Sequence, residues 1–254
     1  IRLSLVGSEM CIRDSPKAGE LKIDKHNRFN NYNVADGLYE QRTVWLRSII
    51  DYRINPSTSL RNTLYHLDSQ RDYRNLETYQ YNADNSRVNR STAYLVRHQG
   101  QQDGNQFELR HDDQLFGLDT TWSGGFEYKV NSTTNSPWNV PASNSVDPGN
   151  FQPGYFYDLK GTRQGWAKDK TNQVTTRALF VENRLALSDE LSLLSGLRYD
   201  AIDLDVTNHR LITASNPRHL KRSWEPVTGR LGLTWQFLPS ANVYVQYSLS
   251  LIHI

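Results

Sequence analysis

Apolar and polar residues alternate along most of the chain with a period of two, a pattern typical of β-strands that bury one face. The clearest case begins at Val227, where every second residue up to Phe237 is apolar except Gly229. No segment of comparable length has the period of an amphipathic helix. The alternation predicts an all-β fold with eight strands, at residues 42–54, 59–75, 90–111, 118–130, 173–188, 191–207, 223–237 and 241–248.

The alternation changes phase within the strand predicted over residues 191–207. Odd-numbered positions other than Ser195 are apolar from Leu191 to Tyr199, whereas even-numbered positions are apolar from Ile202 to Val206. Because one extra residue in a strand moves the following side chains to the other face, this change predicts a β-bulge near Ala201.

The connections between the predicted strands alternate strictly between short and long. The short ones are 55–58, 112–117, 188–190 and 238–240, and the long ones are 76–89, 131–172 and 208–222. In an up-and-down sheet alternate connections lie at the same end, so one end has tight turns and the other has large loops. Outer-membrane barrels have this layout. We therefore predict an antiparallel up-and-down transmembrane β-barrel segment in which 90–111 is one strand, despite Gly100 and Gly104.

Composition excludes several classes of protein. The 254 residues include 29 Lys and Arg against 27 Asp and Glu, and a net charge of +2 does not favour nucleic-acid binding. Mean hydropathy is −0.69, and no stretch approaches the roughly 20 apolar residues that a transmembrane helix needs. Aromatic residues make up 11% of the chain, which is too many for a disordered polar chain. A single Cys excludes a disulfide scaffold.

The two ends of the chain differ from its middle. The only Met and the only Cys are adjacent, at Met10 and Cys11. Residues 6–15 resemble the translation of a sequencing adaptor, as do residues 248–254, and the start lacks the pattern of a signal peptide. We therefore assign residues 1–15 and 249–254 to artefactual sequence and residues 16–248 to a partial barrel, and we expect the chain to be an internal fragment.

The sequence contains no catalytic constellation. The seven His residues lack the spacing of zinc ligands, and Asp112-Asp113 falls in a predicted turn, where Asp is ordinary. The pair Asp203 and Asp205 lacks the Gly and Glu of a calcium loop. There is no nucleophile elbow and no phosphate loop. We predict that the chain is not an enzyme and holds no cofactor and no metal of its own.

The long connection over residues 131–172 has the composition of a binding site. Connections longer than about 12–15 residues are usually functional or disordered, and this one combines large aromatic rings with cations. Such side chains can bind an anionic or aromatic metal chelate through stacking and charge. The candidate ligand-binding residues are Trp138, Tyr155, Tyr157, Arg163 and Trp166. The alternative is that these rings pack the connection against the barrel.

Several strands also resemble a known family. The segment from Thr176 to Asp200 leads through a short acidic turn into Gly-Leu-Arg-Tyr-Asp. It resembles the mid-barrel hairpin of TonB-dependent siderophore receptors. Residues 227–236 and 243–248 are similar to the pair of strands that follows this hairpin, and 122–128 to the strand before the long loop. The resemblance keeps its order over nearly all of residues 24–248.

This resemblance implies a function and its partners. The family has a barrel of the 22-stranded type that encloses an N-terminal plug, so the chain would supply about eight strands without the plug. Such receptors carry ferric siderophores across the Gram-negative outer membrane with energy from TonB, and the siderophore itself binds the iron. The implied partners are a ferric siderophore, the TonB complex through an N-terminal region outside this sequence, and outer-membrane lipid.

Two other functions share part of the pattern. One is a passive outer-membrane porin or sugar channel, in which residues 131–172 would fold into the pore. The other is a secreted carbohydrate-binding β-sandwich. A sandwich also alternates apolar and polar positions, but its connections mix lengths at both ends.

Overall fold

A computed structural model describes residues 26–27, 29–140, 143–162 and 164–249, except for the side chains of 138–140. The assignment of residues 1–15 and 250–254 to artefactual sequence lies outside the described residues, and Leu249 ends the last strand. The elements are β1 (Leu38–Asn55), β2 (Thr58–Tyr81), β3 (Val88–Leu115), β4 (Leu118–Val140), β5 (Asn144–Val146), a 3-10 turn (Phe156–Asp158), β6 (Lys170–Ala186), β7 (Leu191–Asn208), β8 (His219–Trp224), β9 (Val227–Leu238) and β10 (Ala241–Leu249).

All ten strands belong to one sheet. Its order is β1-β2-β3-β4-β6-β7-β9-β10, with β5 paired to β3 and β8 paired to β7. Long strands that follow each other in the chain are neighbours in the sheet, so the prediction of an all-β, antiparallel, up-and-down arrangement is confirmed. The described residues include no helix that is both long and apolar enough to cross a membrane.

The tight turns lie close to where the sequence predicts them. β3 runs without a break from Val88 to Leu115, which confirms the reading of residues 90–111 as one strand. The two residues after it, Phe116 and Gly117, have positive φ angles of 54° and 82°. Positive φ at both central residues is typical of a type I′ turn, whose twist matches that of a two-residue hairpin.

The long connections contain more regular structure than the sequence predicts. β2 and β3 extend through most of the predicted connection 76–89 and leave only residues 82–87 between them. The connection 131–172 is not structureless, because β4 continues to Val140 and the short strand β5 pairs with β3. A strand can consist of polar residues where both of its faces meet water or other chain segments. These parts of the strands therefore show no alternation of apolar and polar residues, and the sequence pattern does not predict them.

The strand predicted over residues 223–237 is in fact two strands. Both β8 and β9 pair with β7, and Glu225 and Pro226 separate them. A proline has no backbone N–H to donate to a neighbouring strand, so the pairing is interrupted there. The Pro226 carbonyl instead accepts a hydrogen bond of 3.0 Å from the Asp200 N–H.

The β-bulge predicted near Ala201 is absent from the pairing of β6 with β7. One register connects them from Lys170 opposite Asn208 to Ala186 opposite Ser192, and Ala201 lies opposite Arg177 within it. The apolar residues change faces because the surroundings of the strand change along its length.

The contacts divide the chain into two units. The first contains the described residues of Ile1–Arg42, Ser69–Gln99 and Thr134–Asp169, and the second those of Thr43–Asp68, Gly100–Thr133 and Lys170–Ile254. The first unit has a buried core, in which β2 and β3 pack against the segment before β1 and against the long connection. Its residues are Tyr32, Val34, Leu76, Tyr79, Val88, Ala93, Leu95, Val146, Phe156 and Leu159.

Candidate functional site

The second unit has one apolar face. Residues that lie directly opposite each other in neighbouring strands share a face, and the registers of β6, β7, β9 and β10 place one apolar set together. We call this the apolar face: Leu179, Val181, Leu191, Leu193, Leu197, Tyr199, Val227, Leu231, Leu233, Trp235, Val243, Val245 and Tyr247. Many of these side chains are exposed, and 60% of the surface of Leu197 and 73% of that of Tyr247 remain accessible.

The apolar face has the height of a bilayer core. On β7 it extends over nine residues, from Leu191 to Tyr199, and on β9 over nine, from Val227 to Trp235. A tilted strand crosses the hydrocarbon region with about 9–11 residues. So large an exposed apolar surface in strands of this length is the expected outer surface of a transmembrane barrel.

Beyond Tyr199 the same face of the sheet becomes charged. Asp203 accepts a hydrogen bond from Arg177 at 2.9 Å, and Asp205 lies 3.0 Å from the ammonium group of Lys221. These ion pairs are exposed to water. The apolar side chains of β7 lie on the opposite face from this point on. The change of face therefore marks the boundary of the apolar band at the end of the strands opposite the tight turns.

Ion pairs connect strands across the polar face of the second unit, which lies opposite the apolar face. Arg198 is 2.7 Å from Glu127 on β4 and 2.8 Å from Asp200 on β7. The Tyr65 hydroxyl lies 3.4 Å from the other carboxylate oxygen of Glu127. Charged networks of this kind suit a water-filled lumen.

A pocket of about 730 Å³ lies on the polar face beyond the apolar band. Its floor consists of Leu204 and Val206, which follow the change of face on β7, and of the residues opposite them in the neighbouring strands, Val174 on β6 and Leu220 on β8. One wall is the connection between β7 and β8, which contributes residues 214–217. The Asn208 amide holds this connection with a hydrogen bond of 2.6 Å to the Pro217 carbonyl.

The polar groups of this pocket are cations, amides and hydroxyls. Lys170 and Arg222 supply positive charge, and the amide side chains are Asn131, Asn172, Asn208 and Asn216. Among the described lining residues none has a carboxylate or an aromatic ring. Neither Lys170 nor Arg222 forms an ion pair within the described part of the chain. The pocket therefore presents uncompensated positive charge and hydrogen-bond donors to a ligand.

The structure describes three of the five ligand-binding residues predicted from the sequence, all in the first unit. Tyr155 is exposed, whereas Tyr157 and Trp166 are partly buried against the core. The backbone of Trp138 lies in β4, but its side chain is outside the described residues, as is all of Arg163. Tyr155 therefore has the most accessible ring of those described.

Trp166 contacts a partly buried ion pair. The guanidinium carbon of Arg97 lies 4.6 Å from the centre of a Trp166 ring. The same guanidinium donates two hydrogen bonds to Asp72, of 2.7 and 2.5 Å. These bonds hold the pKa of the Asp72 carboxyl below its usual value, although burial acts in the opposite direction. Trp166 thus attaches the long connection to β2 and β3.

Tyr157 has a similar contact with Arg74. The Arg74 guanidinium carbon lies 5.2 Å from the Tyr157 ring centre, and its nitrogens donate to the Asp36 carbonyl at 3.0 and 2.7 Å. The Asp36 carboxylate accepts a hydrogen bond of 2.7 Å from the Phe156 N–H. The aromatic rings of this segment therefore stabilise its packing, which leaves Tyr155 most free to meet a ligand.

Arg90 is the largest of the fully buried side chains among the described residues of the first unit. It is 1% exposed, and it donates hydrogen bonds to the carbonyls of Tyr32, Asn33 and Pro153 and to the Asn144 side chain, at 2.9 to 3.2 Å. All four acceptors are uncharged, and burial lowers the pKa of Arg90. One guanidinium thus connects β3, β5, the segment before β1 and the long connection.

A polar cluster on β2 and β3 was missed by sequence reasoning. Arg71 lies 2.5 Å from Nδ1 of His98, and the Tyr73 hydroxyl donates to Glu77 at 2.7 Å. Burial and the Arg71 charge lower the pKa of His98. Burial raises the pKa of Tyr73 to about 12, so its hydroxyl remains a donor.

Lys170 and Arg222, which sequence reasoning missed, lie in the predicted connections 131–172 and 208–222, whereas Arg71, Tyr73 and His98 lie in predicted strands. Leu204 and Val206, two of the apolar residues that predicted a bulge, contribute instead to the floor of the pocket. Within the described residues no group of three His, Cys, Asp or Glu side chains is arranged to hold a metal ion.

Comparison with known proteins gives a consistent result. The sequence model of the family described as TonB dependent receptor-like, beta-barrel matches residues 14–251. The structure resembles the ferric-catecholate import receptor Fiu of E. coli K12 in its closed form, with a TM-score of 0.72 and 16% identity over 95% of this chain and 38% of that one.

Two receptors from Acinetobacter baumannii are also similar. The siderophore receptor PiuA has a TM-score of 0.70 and 15% identity, over 85% of this chain and 33% of that one. BauA, the ferric preacinetobactin receptor, has a TM-score of 0.65 and 9% identity, over 82% of this chain and 30% of that one. The chain therefore spans less than half of the length of each of these proteins.

Proposed function

The chain belongs to the family of TonB-dependent receptor-like β-barrels, and from this membership we propose that it forms part of the wall of a receptor that imports ferric siderophores. The family consists of receptors and transporters and is not a family of enzymes. Its members are outer-membrane proteins. We further propose that the organism is Gram-negative and that the TonB complex engages a region outside this sequence.

The apolar face is the observation that carries this proposal. Its height on β7 and β9 matches the hydrocarbon core of a bilayer, and charged networks occupy the opposite face. A carbohydrate-binding β-sandwich would bury this apolar face against a second sheet. The sheet order, with short turns at one end, favours the barrel.

The long connections at the other end of the strands would capture the ligand. A ferric siderophore is an anionic or aromatic chelate, and the proposed contacts in the long connection are Trp138, Tyr155, Tyr157, Arg163 and Trp166. Of the described members, Tyr155 is the most exposed. The iron is cargo that the siderophore binds, so the receptor itself needs no cofactor.

Ligand binding by the full-length receptor tests this proposal. We expect purified receptor in detergent to bind at least one class of ferric siderophore saturably, with quenching of its intrinsic Trp and Tyr fluorescence. We expect Tyr155→Ala to weaken the binding, and Phe116→Ala, in the exposed turn at the opposite end of the strands, to leave it unchanged.

A swelling assay separates this function from that of a passive channel. Liposomes that contain the full-length receptor should not swell in isotonic sugar, because a plugged barrel has no open pore. Rapid swelling, together with no binding of any ferric siderophore, would contradict the proposal and support a porin or sugar channel.

A further inference from the structure

We propose that the pocket on the polar face of β6, β7 and β8 binds the free carboxylate groups of a ferric hydroxycarboxylate chelate. This inference rests on the proposed function, because it names the class of ligand that the receptor takes. The pocket volume of about 730 Å³ lies within the range of small-molecule sites.

The first argument is charge. Lys170 and Arg222 line the pocket, and no carboxylate is found among its described lining residues. The cations on the opposite face of the same strands are different, because Arg177 and Lys221 are paired with Asp203 and Asp205. At this end of the strands, positive charge is thus neutralised on the face that continues the apolar band, whereas Lys170 and Arg222 have no carboxylate partner among the described residues. A ligand that carries negative charge would complete the pocket.

The second argument is the type of donor. Ammonium and guanidinium groups form their strongest hydrogen bonds with carboxylates and phosphates. The Asn131 amide and the hydroxyls of Thr133 and Ser215 add neutral polar groups around the same space. The amides of Asn172, Asn208 and Asn216 each donate one hydrogen bond within the protein, and the second N–H of each amide is left for a ligand. Carboxylate oxygens accept several hydrogen bonds each, so a chelate with free carboxylate arms can use many of these donors at once.

The third argument concerns ring stacking. A catecholate chelate presents flat aromatic rings, which aromatic side chains recognise by stacking. None of the described residues that line the pocket is aromatic, and its apolar floor consists of aliphatic side chains such as Leu204 and Val206. An aliphatic floor suits the short carbon backbone of a hydroxycarboxylate.

The pocket is also held open before any ligand arrives. Asn208 is 3% exposed and binds the Pro217 carbonyl, and Asn216 donates to the Leu211 carbonyl at 2.9 Å. These bonds fix the connection between β7 and β8 as a wall. A preformed pocket loses less conformational entropy on binding, which favours affinity for a small ligand.

Charge-neutral variants of the full-length receptor test the inference with two probes, ferric citrate and a ferric tris-catecholate. We expect Lys170→Gln and Arg222→Gln each to weaken ferric citrate binding about tenfold, because each removes a charge-assisted hydrogen bond. The matched control is Lys221→Gln, which removes the same charge from the neighbouring position on β8 but on the opposite face. We expect this control to bind ferric citrate like the parent.

The outcomes separate this inference from the proposed function. The receptor could bind the catecholate probe tightly and ferric citrate weakly, with neither substitution changing the affinity for the catecholate. That result would overturn the inference and leave the proposed function intact. Failure of every ferric chelate to bind would count against both. Equal affinity for iron-free citrate would also overturn the inference, because the ligand would then not be the iron complex.

Discussion

Arg90 illustrates how a single residue can hold a long connection in place. Its hydrogen bonds reach three separate segments, and its burial leaves no room for water to replace them. The sequence identifies Arg90 only as the start of a strand. Its role depends on segments more than 50 residues away in the chain, and local alternation contains no information about them.

Replacing Arg90 should release these segments. We expect Arg90→Met to lower the free energy of unfolding by about 3 kcal/mol, since it leaves buried carbonyls without a donor. We also expect proteases to cut within residues 143–162 faster than in the parent. Arg87→Met is the control, because Arg87 is exposed and its bonds to Ser145 are open to water. Chemical denaturation and limited proteolysis measure both effects, and equal behaviour of the two variants would contradict this role.

His98 should make stability depend on pH. Burial and the nearby Arg71 charge lower its pKa from the ordinary value of 6.5. As the pH falls below that value the unfolded chain binds a proton before the folded chain does, so the contribution to stability is complete above about pH 6.5 and decreases below it.

The corresponding variant should be less sensitive to acid. We expect the melting temperature of His98→Gln to fall less than that of the parent between about pH 7.5 and pH 5. Substitution of the exposed His219 on β8 is the control and should not alter this difference. An unchanged acid sensitivity in His98→Gln would show that His98 does not titrate as described.

At the scale of elements, alternation predicts the strands well and their surroundings poorly. The eight long strands follow from the period of two, and the rhythm of short and long connections gives their order in the sheet. The change of face in β7 has two physical explanations, an inserted residue or a change of environment. The sequence alone does not distinguish them, whereas the unbroken register with β6 does. Strand pairing also divides at Pro226, which the alternation does not reveal.

Labelling of single cysteines tests the change of face directly. In the full-length receptor we expect Asp203→Cys to react with a membrane-impermeant maleimide added outside intact cells, because this position lies beyond the apolar band. Leu197→Cys lies on the same face within the band and should be protected by lipid. Protection of both positions would mean that the apolar band extends past Tyr199.

At the scale of the whole molecule, the fold and the family could be predicted from the sequence, whereas the pocket could not. Its cations, Lys170 and Arg222, lie in segments that the alternation predicts as connections, and its floor lies where the alternation changes phase. Its wall forms only when the connection after Asn208 folds back over the polar face. The aromatic candidates were selected by composition. The structure shows that Tyr157 and Trp166 also contact Arg74 and Arg97.

The central claim is that this chain is part of an energised importer of ferric siderophores. The most direct measurement is uptake of radioactive iron, supplied as a siderophore complex, by cells that express the full-length receptor with or without a working TonB complex. We predict saturable uptake that requires the receptor and disappears without TonB. Uptake that proceeds equally without TonB, or that never exceeds the level of cells lacking the receptor, would contradict the claim.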